Sequence, residues 1–372
     1  MRRPRKVLAR LLSITAMLTA MLTGGLTAAA TGAQAAVPDK WGFAFVDTTS
    51  GTPDPTHQAG SWSAGSTVTV SPGVIGEVFV RFPGIGVSPS RVDPGVAHVT
   101  AMGQTAVWCQ IEKYGAVGTD EMVAVRCYTY GGRPMFTPFA ITYASSTGPL
   151  PSPAALGYLY WDGSGLAASY NSTGSANTVV PSLSPGVWTV MLNGLGPARA
   201  SGNIQVTAVD SSVPAHCKVS TWSPSSSGQK ISVRCFDAVD APLNTGWTLT
   251  YHNERAVTGG AIPPRNFAYT FDNDPANPGP YTPVPAGVTF NSVGSFNEIQ
   301  TAGFGLRLVT FHKVGVLPDD VQVTAYGRGP AFCNLLARWG TYGNEVTVRD
   351  VACYEGGRAV ESASMVTYVS AY

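Results

Sequence analysis

The six cysteines are the residues of this chain whose spacing most clearly predicts chemistry. They fall into three pairs whose members lie 18, 18 and 20 positions apart: Cys109 and Cys127, Cys217 and Cys235, Cys333 and Cys353. Zinc ligands are more closely spaced in sequence, so this pattern favours disulfides over a metal site. We therefore predict one disulfide in each of three units, and no metal or cofactor.

The histidines predict no shared catalytic site, because they occupy different places relative to the cysteine pairs. They are His57, His98, His216, His252 and His312. Nucleophile-elbow, zinc-protease and phosphate-loop motifs are absent from the sequence. One alternative is a secreted hydrolase with a single unrepeated site that uses His57 near Asp54, or His312 near Lys313. A second is a proteinase inhibitor with a loop held by a disulfide.

An internal repeat sets the frame for these residues. The triplet Val-Thr-Ala occurs at 99–101, 206–208 and 323–325, and the first cysteine of a pair follows its Val by 10, 11 and 10 positions. Each copy also opens on an aromatic strand that ends in Asp and closes on a Thr-Tyr strand. A period of this kind indicates three copies of one structural unit.

Apolar residues alternate with period two within each copy, as in residues 231–236, which is typical of antiparallel strands with one buried face. The sequence predicts an all-β protein of three tandem antiparallel β-sandwich-like domains, or small barrels, of roughly 100 residues each. The predicted domains are 37–146, 155–254 and 265–372. The Pro- and Ser-rich stretch at 145–153 favours domains that are spaced apart.

Residues 1–35 predict an export signal, with five basic residues, an apolar stretch and a small-x-small cleavage site at 33–35. Removing it lowers the Lys and Arg count from 23 to 18, against 22 Asp and Glu. A mildly acidic chain without basic runs is a poor partner for nucleic acid. A second apolar run long enough to span a membrane is absent, so we expect a secreted, extracellular protein.

Aromatic residues supply the candidate binding surface. Strand alternation turns the residue before each first cysteine away from that cysteine, and we expect these residues to face water: Trp108, His216 and Phe332. Three further tryptophans have no counterpart in the other copies and join the candidate surface: Trp41, Trp161 and Trp247. Exposed aromatic rings among few charges suit a carbohydrate polymer or an extracellular protein partner.

The motifs also carry a resemblance. Residues 217–222 (Cys-Lys-Val-Ser-Thr-Trp) and 233–237 (Val-Arg-Cys-Phe-Asp), with the aromatic openings and the Val-Thr-Ala triplets, resemble a repeat of uncharacterised secreted proteins of filamentous Gram-positive bacteria. Copy three departs most, with a longer interval between its cysteines. The resemblance implies secretion and repeat architecture. We expect a non-enzymatic extracellular binding or structural protein.

Overall fold

A computed structural model describes residues 39–87, 95–150, 154–259 and 266–372. The predicted export signal at 1–35 lies outside the described residues. The described chain is all-β, as predicted, with two short 3-10 turns at Pro55–His57 and Ala286–Val288. Each copy of the repeat, named repeat 1, 2 or 3 in chain order, forms two open antiparallel sheets of four principal strands. This confirms the sandwich-like alternative.

The described part of repeat 1 contains nine strands. They are β1 (Lys40–Val46), β2 (Gln58–Gly60), β3 (Thr69–Pro72), β4 (Glu77–Phe82), β5 (Val96–Ala101), β6 (Val107–Val117), β7 (Asp120–Thr129), β8 (Arg133–Pro134) and β9 (Phe139–Ser145). Its first sheet has the order β2-β1-β9-β5 and its second sheet the order β3-β4-β7-β6, with β8 beside β7.

Repeat 2 has the same plan in eight strands. They are β10 (Ala155–Trp161), β11 (Leu166–Asn171), β12 (Thr178–Pro181), β13 (Val187–Asn193), β14 (Asn203–Val209), β15 (Ala215–Ser225), β16 (Gly228–Asp237) and β17 (Gly246–Asn253). The first four strands in sheet order are β11-β10-β17-β14, and a parallel bridge between Val209 of β14 and Ile111 of β6 joins them to the second sheet of repeat 1. The second sheet of repeat 2 is β12-β13-β16-β15.

Repeat 3 again follows this order, but its cysteine strand is interrupted. The strands are β18 (Phe267–Asp272), β19 (Thr289–Asn291), β20 (Asn297–Gly303), β21 (Leu306–Phe311), β22 (Asp319–Ala325), β23 (Phe332–Leu335), β24 (Gly340–Tyr342), β25 (Glu345–Glu355), β26 (Arg358–Ala359) and β27 (Ser364–Ser370). The sheets are β19-β18-β27-β22 and β20-β21-β25-β23, with β24 and β26 beside β25.

Alternating apolar residues hold the two sheets of a repeat together. In β13, Trp188, Val190 and Leu192 are buried, while the residues between them are half-buried. The buried side chains meet those of the opposite sheet, such as Leu249 of β17. Burying one Val or Leu side chain contributes about 1.5–3 kcal/mol, so a sandwich of this size is stable only as a complete double layer.

The predicted disulfides are confirmed, and each joins neighbouring strands of a second sheet. The paired cysteines stand directly opposite each other on β6 and β7, on β15 and β16, and on β23 and β25. Their Cα atoms lie 3.9, 4.1 and 4.0 Å apart. The longer interval between the two cysteines of repeat 3 is accommodated by the break between β23 and β24. The pairing of the cysteines is the same as in the other repeats.

The expectation of spaced domains is wrong. The described repeats form one compact unit in which strands of each repeat bond to the next. The residue two positions after each triplet donates its backbone N–H to a cysteine strand of another repeat: Gly103 to Leu335 O (2.8 Å), Asp210 to Ile111 O (2.9 Å) and Gly327 to Val219 O (2.9 Å). These contacts close a ring with pseudo-threefold symmetry. The stiff composition of 145–153 carried no information about them.

Candidate functional site

The three Val-Thr-Ala triplets meet at the centre of this ring, in what we name the central junction (residues 99–101, 206–208 and 323–325). Each threonine hydroxyl accepts a hydrogen bond from the valine N–H of another repeat. The bonds are Val99 N to Thr207 Oγ1 (3.3 Å), Val206 N to Thr324 Oγ1 (3.0 Å) and Val323 N to Thr100 Oγ1 (2.9 Å). The triplet therefore recurs because it interlocks the repeats, since an unpaired buried N–H is costly.

A second ring of bonds surrounds the first. Thr100 Oγ1 donates to Gln322 Oε1 and Thr324 Oγ1 to Gln205 Oε1, both at 2.9 Å. Repeat 1 has His98 at the position of these glutamines, and its Nδ1 lies 3.3 Å from Thr207 Oγ1. Burial, together with nearby His252, lowers the pKa of His98 to about 3. His98 is therefore a neutral hydrogen-bonding residue at pH 7 and not a proton-transfer catalyst.

The expectation that Trp108, His216 and Phe332 face water is wrong. They do point away from the cysteines, as alternation predicts, but their relative exposures are only 3, 4 and 5%. Their rings contact one another at centroid distances of 5.4, 5.2 and 5.0 Å, one ring from each repeat. The neighbouring repeats cover the face that a single domain would expose. We name these three residues the central aromatic cluster.

His216 is the titratable member of the central aromatic cluster. Its Nε2 lies 2.9 Å from Pro330 O and 3.7 Å from Asp240 Oδ1. Burial lowers the pKa of His216 to about 4, although the bond to Pro330 partly opposes the shift. The imidazole is therefore neutral near pH 7.

The other aromatic candidates are mostly buried as well. Trp161 and Trp247 pack against each other with centroids 6.5 Å apart, and Trp247 also contacts Trp188 in the core of repeat 2. Trp41 is half-buried and stacks on Phe43. Of the six candidates, Trp41 alone keeps substantial exposure, so these residues do not form one continuous surface.

His57 pairs with a carboxylate that no sequence motif predicts. Its Nδ1 lies 2.6 Å from Asp319 Oδ1, across the interface of repeats 1 and 3. Trp339 Nε1 (2.9 Å) and Thr341 Oγ1 (2.6 Å) also donate to Asp319. A buried Asp that orients a His is one half of an acyl-transfer site. Among the described residues, however, no Ser, Thr or Cys side chain hydrogen-bonds to His57.

Metal binding has no geometric support in the described parts of the chain. No cluster of three His, Cys, Asp or Glu side chains there is placed to hold an ion. The segment 272–279 is rich in Asp and Asn, whose side-chain oxygens could bind calcium. Its Asp272 is fully buried and already pairs with Arg307 Nε at 3.1 Å and with Tyr281 Oη at 2.5 Å.

The most distinctive exposed feature lies on the outer face of the second sheet of repeat 3. Phe296, His312, Glu345 and Tyr342 form a row across four adjacent chain segments, which we name the outer row. The rings of Phe296 and His312 contact each other in a tilted arrangement with centroids 4.3 Å apart, and Glu345 is the cross-strand partner of Tyr342. Phe296 is 52% exposed and Tyr342 is 75% exposed.

The centre of the outer row is an ion-paired histidine. His312 Nδ1 lies 2.9 Å from Glu345 Oε1, and Nε2 lies 3.1 Å from Glu298 Oε2. Partial burial lowers the pKa of His312, but the bonds to Glu345 and Glu298 outweigh it and leave the pKa above its ordinary value. The imidazole thus holds two carboxylates, and Phe296 and Tyr342 lie at the two ends of the outer row.

A glycine shapes the outer row. A Cβ on Gly340 would lie 2.5 Å from Cε2 of Tyr342, so the tyrosine ring lies against the sheet over Gly340. The corresponding corners of the other repeats differ. Repeat 1 has Asp120, paired with Arg81 and bonded to Gly84 N, and repeat 2 has Asn193 opposite Gly228. Sequence reasoning missed the outer row, although Phe296 and Tyr342 are unmatched aromatic positions.

Comparison with known proteins identified no relative of this chain. The chain matches no family profile, and neither a curated protein nor a solved structure shows significant similarity to it. Among the described residues, no helix is long and apolar enough to cross a membrane.

Proposed function

We propose that this is a secreted, non-enzymatic binding protein whose three repeats form one rigid frame, and that it recognises a carbohydrate polymer through the outer row. The single observation that carries the proposal is the exposure of Phe296 and Tyr342 on either side of Glu345 and His312. Exposed apolar surface that is grouped, rather than scattered as single residues, marks an interaction site.

The repeated residues support a scaffold role for the frame. The triplets and the central aromatic cluster are buried, and the threonine hydroxyls and the aromatic rings contact other repeats. Recognition is therefore assigned to residues that differ between the copies and stay exposed. This division is common in proteins whose rigid elements present variable surfaces.

The chemistry of the outer row suits neutral sugars. Aromatic faces provide flat apolar platforms, and carboxylate oxygens accept hydrogen bonds from hydroxyl groups. Glu298 and Glu345 are each held on one side by His312 at 3.1 and 2.9 Å. Both carboxylates are therefore fixed in place before a ligand arrives, which reduces the entropy lost on binding.

The test is binding of the mature protein to purified cell-wall polysaccharides and a glycan array, with calorimetry on any hit. Phe296→Ala and Tyr342→Ala should each weaken binding by about tenfold or more, as for aromatic anchors at other interfaces. Phe304→Ala is the matched control, because Phe304 is 70% exposed but lies in the turn between β20 and β21.

Several results would overturn the proposal. Equal losses in all three variants would show that the outer row is not the site. Specific capture of one extracellular protein, with no glycan bound, would favour the alternative partner. Hydrolysis of a polymer that is lost in His57→Ala would establish the hydrolase instead.

A further inference from the structure

A small cavity lies between the central junction and the central aromatic cluster. Its volume is about 40 Å³, and every repeat contributes the same five positions to its wall. These are the Val-Thr-Ala triplet, the first cysteine of the disulfide, and the ring residue before that cysteine: Trp108, His216 or Phe332. The cavity therefore sits where the pseudo-threefold ring closes.

Two buried polar atoms of its lining residues are unpaired. Trp108 Nε1 and His216 Nδ1 have no hydrogen-bond partner among the described residues. His216 Nε2 bonds to Pro330 O, which can only accept, so the proton resides on Nε2 and Nδ1 is an acceptor. The unpaired donor of repeat 1 and the unpaired acceptor of repeat 2 thus belong to two contacting rings of the cavity wall, whose centroids are 5.4 Å apart.

We propose that this cavity is a structural water site, in which an ordered water accepts from Trp108 Nε1–H and donates to His216 Nδ1. The volume exceeds the roughly 10–15 Å³ that one water requires, and two polar partners meet the minimum for a buried water. A larger ligand does not fit. The water site explains why repeat 2 has His216 at a position where repeats 1 and 3 carry the non-basic rings Trp108 and Phe332.

The alternative contents of the cavity have distinct signatures. An apolar cavity stays dry and takes up xenon, whereas a hydrated polar one does not. A direct N–H···N bond from Trp108 Nε1 to His216 Nδ1 is the other alternative, and it would leave no water between the two nitrogens.

The decisive experiment is a high-resolution crystal structure of the mature protein, with a second crystal under xenon pressure. We expect a water peak within about 3.2 Å of both nitrogens and no xenon peak. In solution, the Trp108 indole proton should show a nuclear Overhauser effect to a long-lived water. Xenon in the cavity, an empty cavity, or a direct N–H···N bond would each overturn the proposal.

Two variants separate the polar bridge from simple space filling. His216→Phe removes the acceptor, and we expect the water peak to disappear. Phe332→Leu borders the same cavity but removes no polar atom, so the water should remain. Loss of the water in Phe332→Leu alone would contradict the proposed partners. The solution measurement on the unaltered protein stands even if His216→Phe does not fold.

Discussion

The interface between repeats 2 and 3 and the interface between repeats 3 and 1 have the same geometry but different chemistry. In the first, Asn203 Nδ2 donates to Thr270 O and Val366 O, and Gln205 Nε2 donates to Asn203 Oδ1. In the second, Gln322 Nε2 donates to a carboxyl group, Asp320 Oδ2, in place of the asparagine.

Only one of these two interfaces should respond to pH. Asp320 is completely buried, and its Oδ1 has no partner among the described residues. Burial raises the pKa of Asp320 well above its ordinary value. The interface of repeats 3 and 1 also contains the buried pair of His57 and Asp319. At the interface of repeats 2 and 3, Asn203 and Gln205 bond through amide groups, which do not titrate. The stability of the interface between repeats 2 and 3 should therefore not depend on pH at this position.

The largest effect should come from breaking the buried pair. His57→Leu leaves the Asp319 carboxylate buried without the imidazole, and we expect the free energy of unfolding to fall by about 3 kcal/mol. Urea unfolding at pH 7 measures this loss. His57→Leu combined with Asp319→Asn should recover part of it, and a double mutant no more stable than the single one would refute the pairing.

Acid should weaken the ring through His98. Because its folded pKa is lowered to about 3, the neutral form stabilises the fold above the unfolded pKa of 6.5, and this contribution is lost as the pH falls toward 3. His98→Gln copies Gln205 and Gln322. At pH 4 it should recover on the order of 2 kcal/mol relative to the unaltered protein. An unchanged acid-unfolding midpoint would contradict this role.

The threonine bonds should be equivalent at the two interfaces. Thr100→Val strands the N–H of Val323, and Thr324→Val strands that of Val206. We expect each to lower the unfolding free energy by about 1–3 kcal/mol. Thr178→Val, on an exposed strand position, is the control and should change little. Losses that differ widely would mean that the ring is not symmetric in energy.

Asp320→Asn should convert one interface into the other. The wild-type carboxyl, with its raised pKa, stabilises the fold below the unfolded pKa, and that contribution is lost as the pH rises through the folded pKa. The amide has no such dependence, so the variant should gain about 1–2 kcal/mol at pH 7 and nothing at pH 3. Stability curves against pH decide this, and equal gains at both values would exclude ionisation as the cause.

The smallest effect belongs to the exposed ion-paired histidine. His312→Gln should cost less than about 1 kcal/mol, because the pair is screened by solvent. The raised pKa of His312 means that its contribution is present below pH 6.5 and lost as the pH rises through the folded pKa. Thermal unfolding at pH 6 and pH 9 should therefore differ from wild type only at pH 6. A loss as large as that of His57→Leu would erase the contrast between buried and exposed pairs.

The local architecture could be predicted from the amino-acid sequence alone. Period-two alternation specified antiparallel strands, and the spacing of Cys217 and Cys235 specified a bridged hairpin, because both depend on contacts between nearby residues. The repeat also marked the Val-Thr-Ala triplets as important, without giving the reason.

The contacts that those residues make depend on how the three repeats pack. Alternation correctly turned Trp108 and Phe332 away from the cysteines, but burial depends on what covers a face, and here another repeat covers it. His57 meets Asp319 over 262 positions of sequence, and the outer row assembles from four chain segments. Contacts between distant segments leave no periodic trace in the sequence, so the ring and its central cavity emerge only when the three repeats pack together.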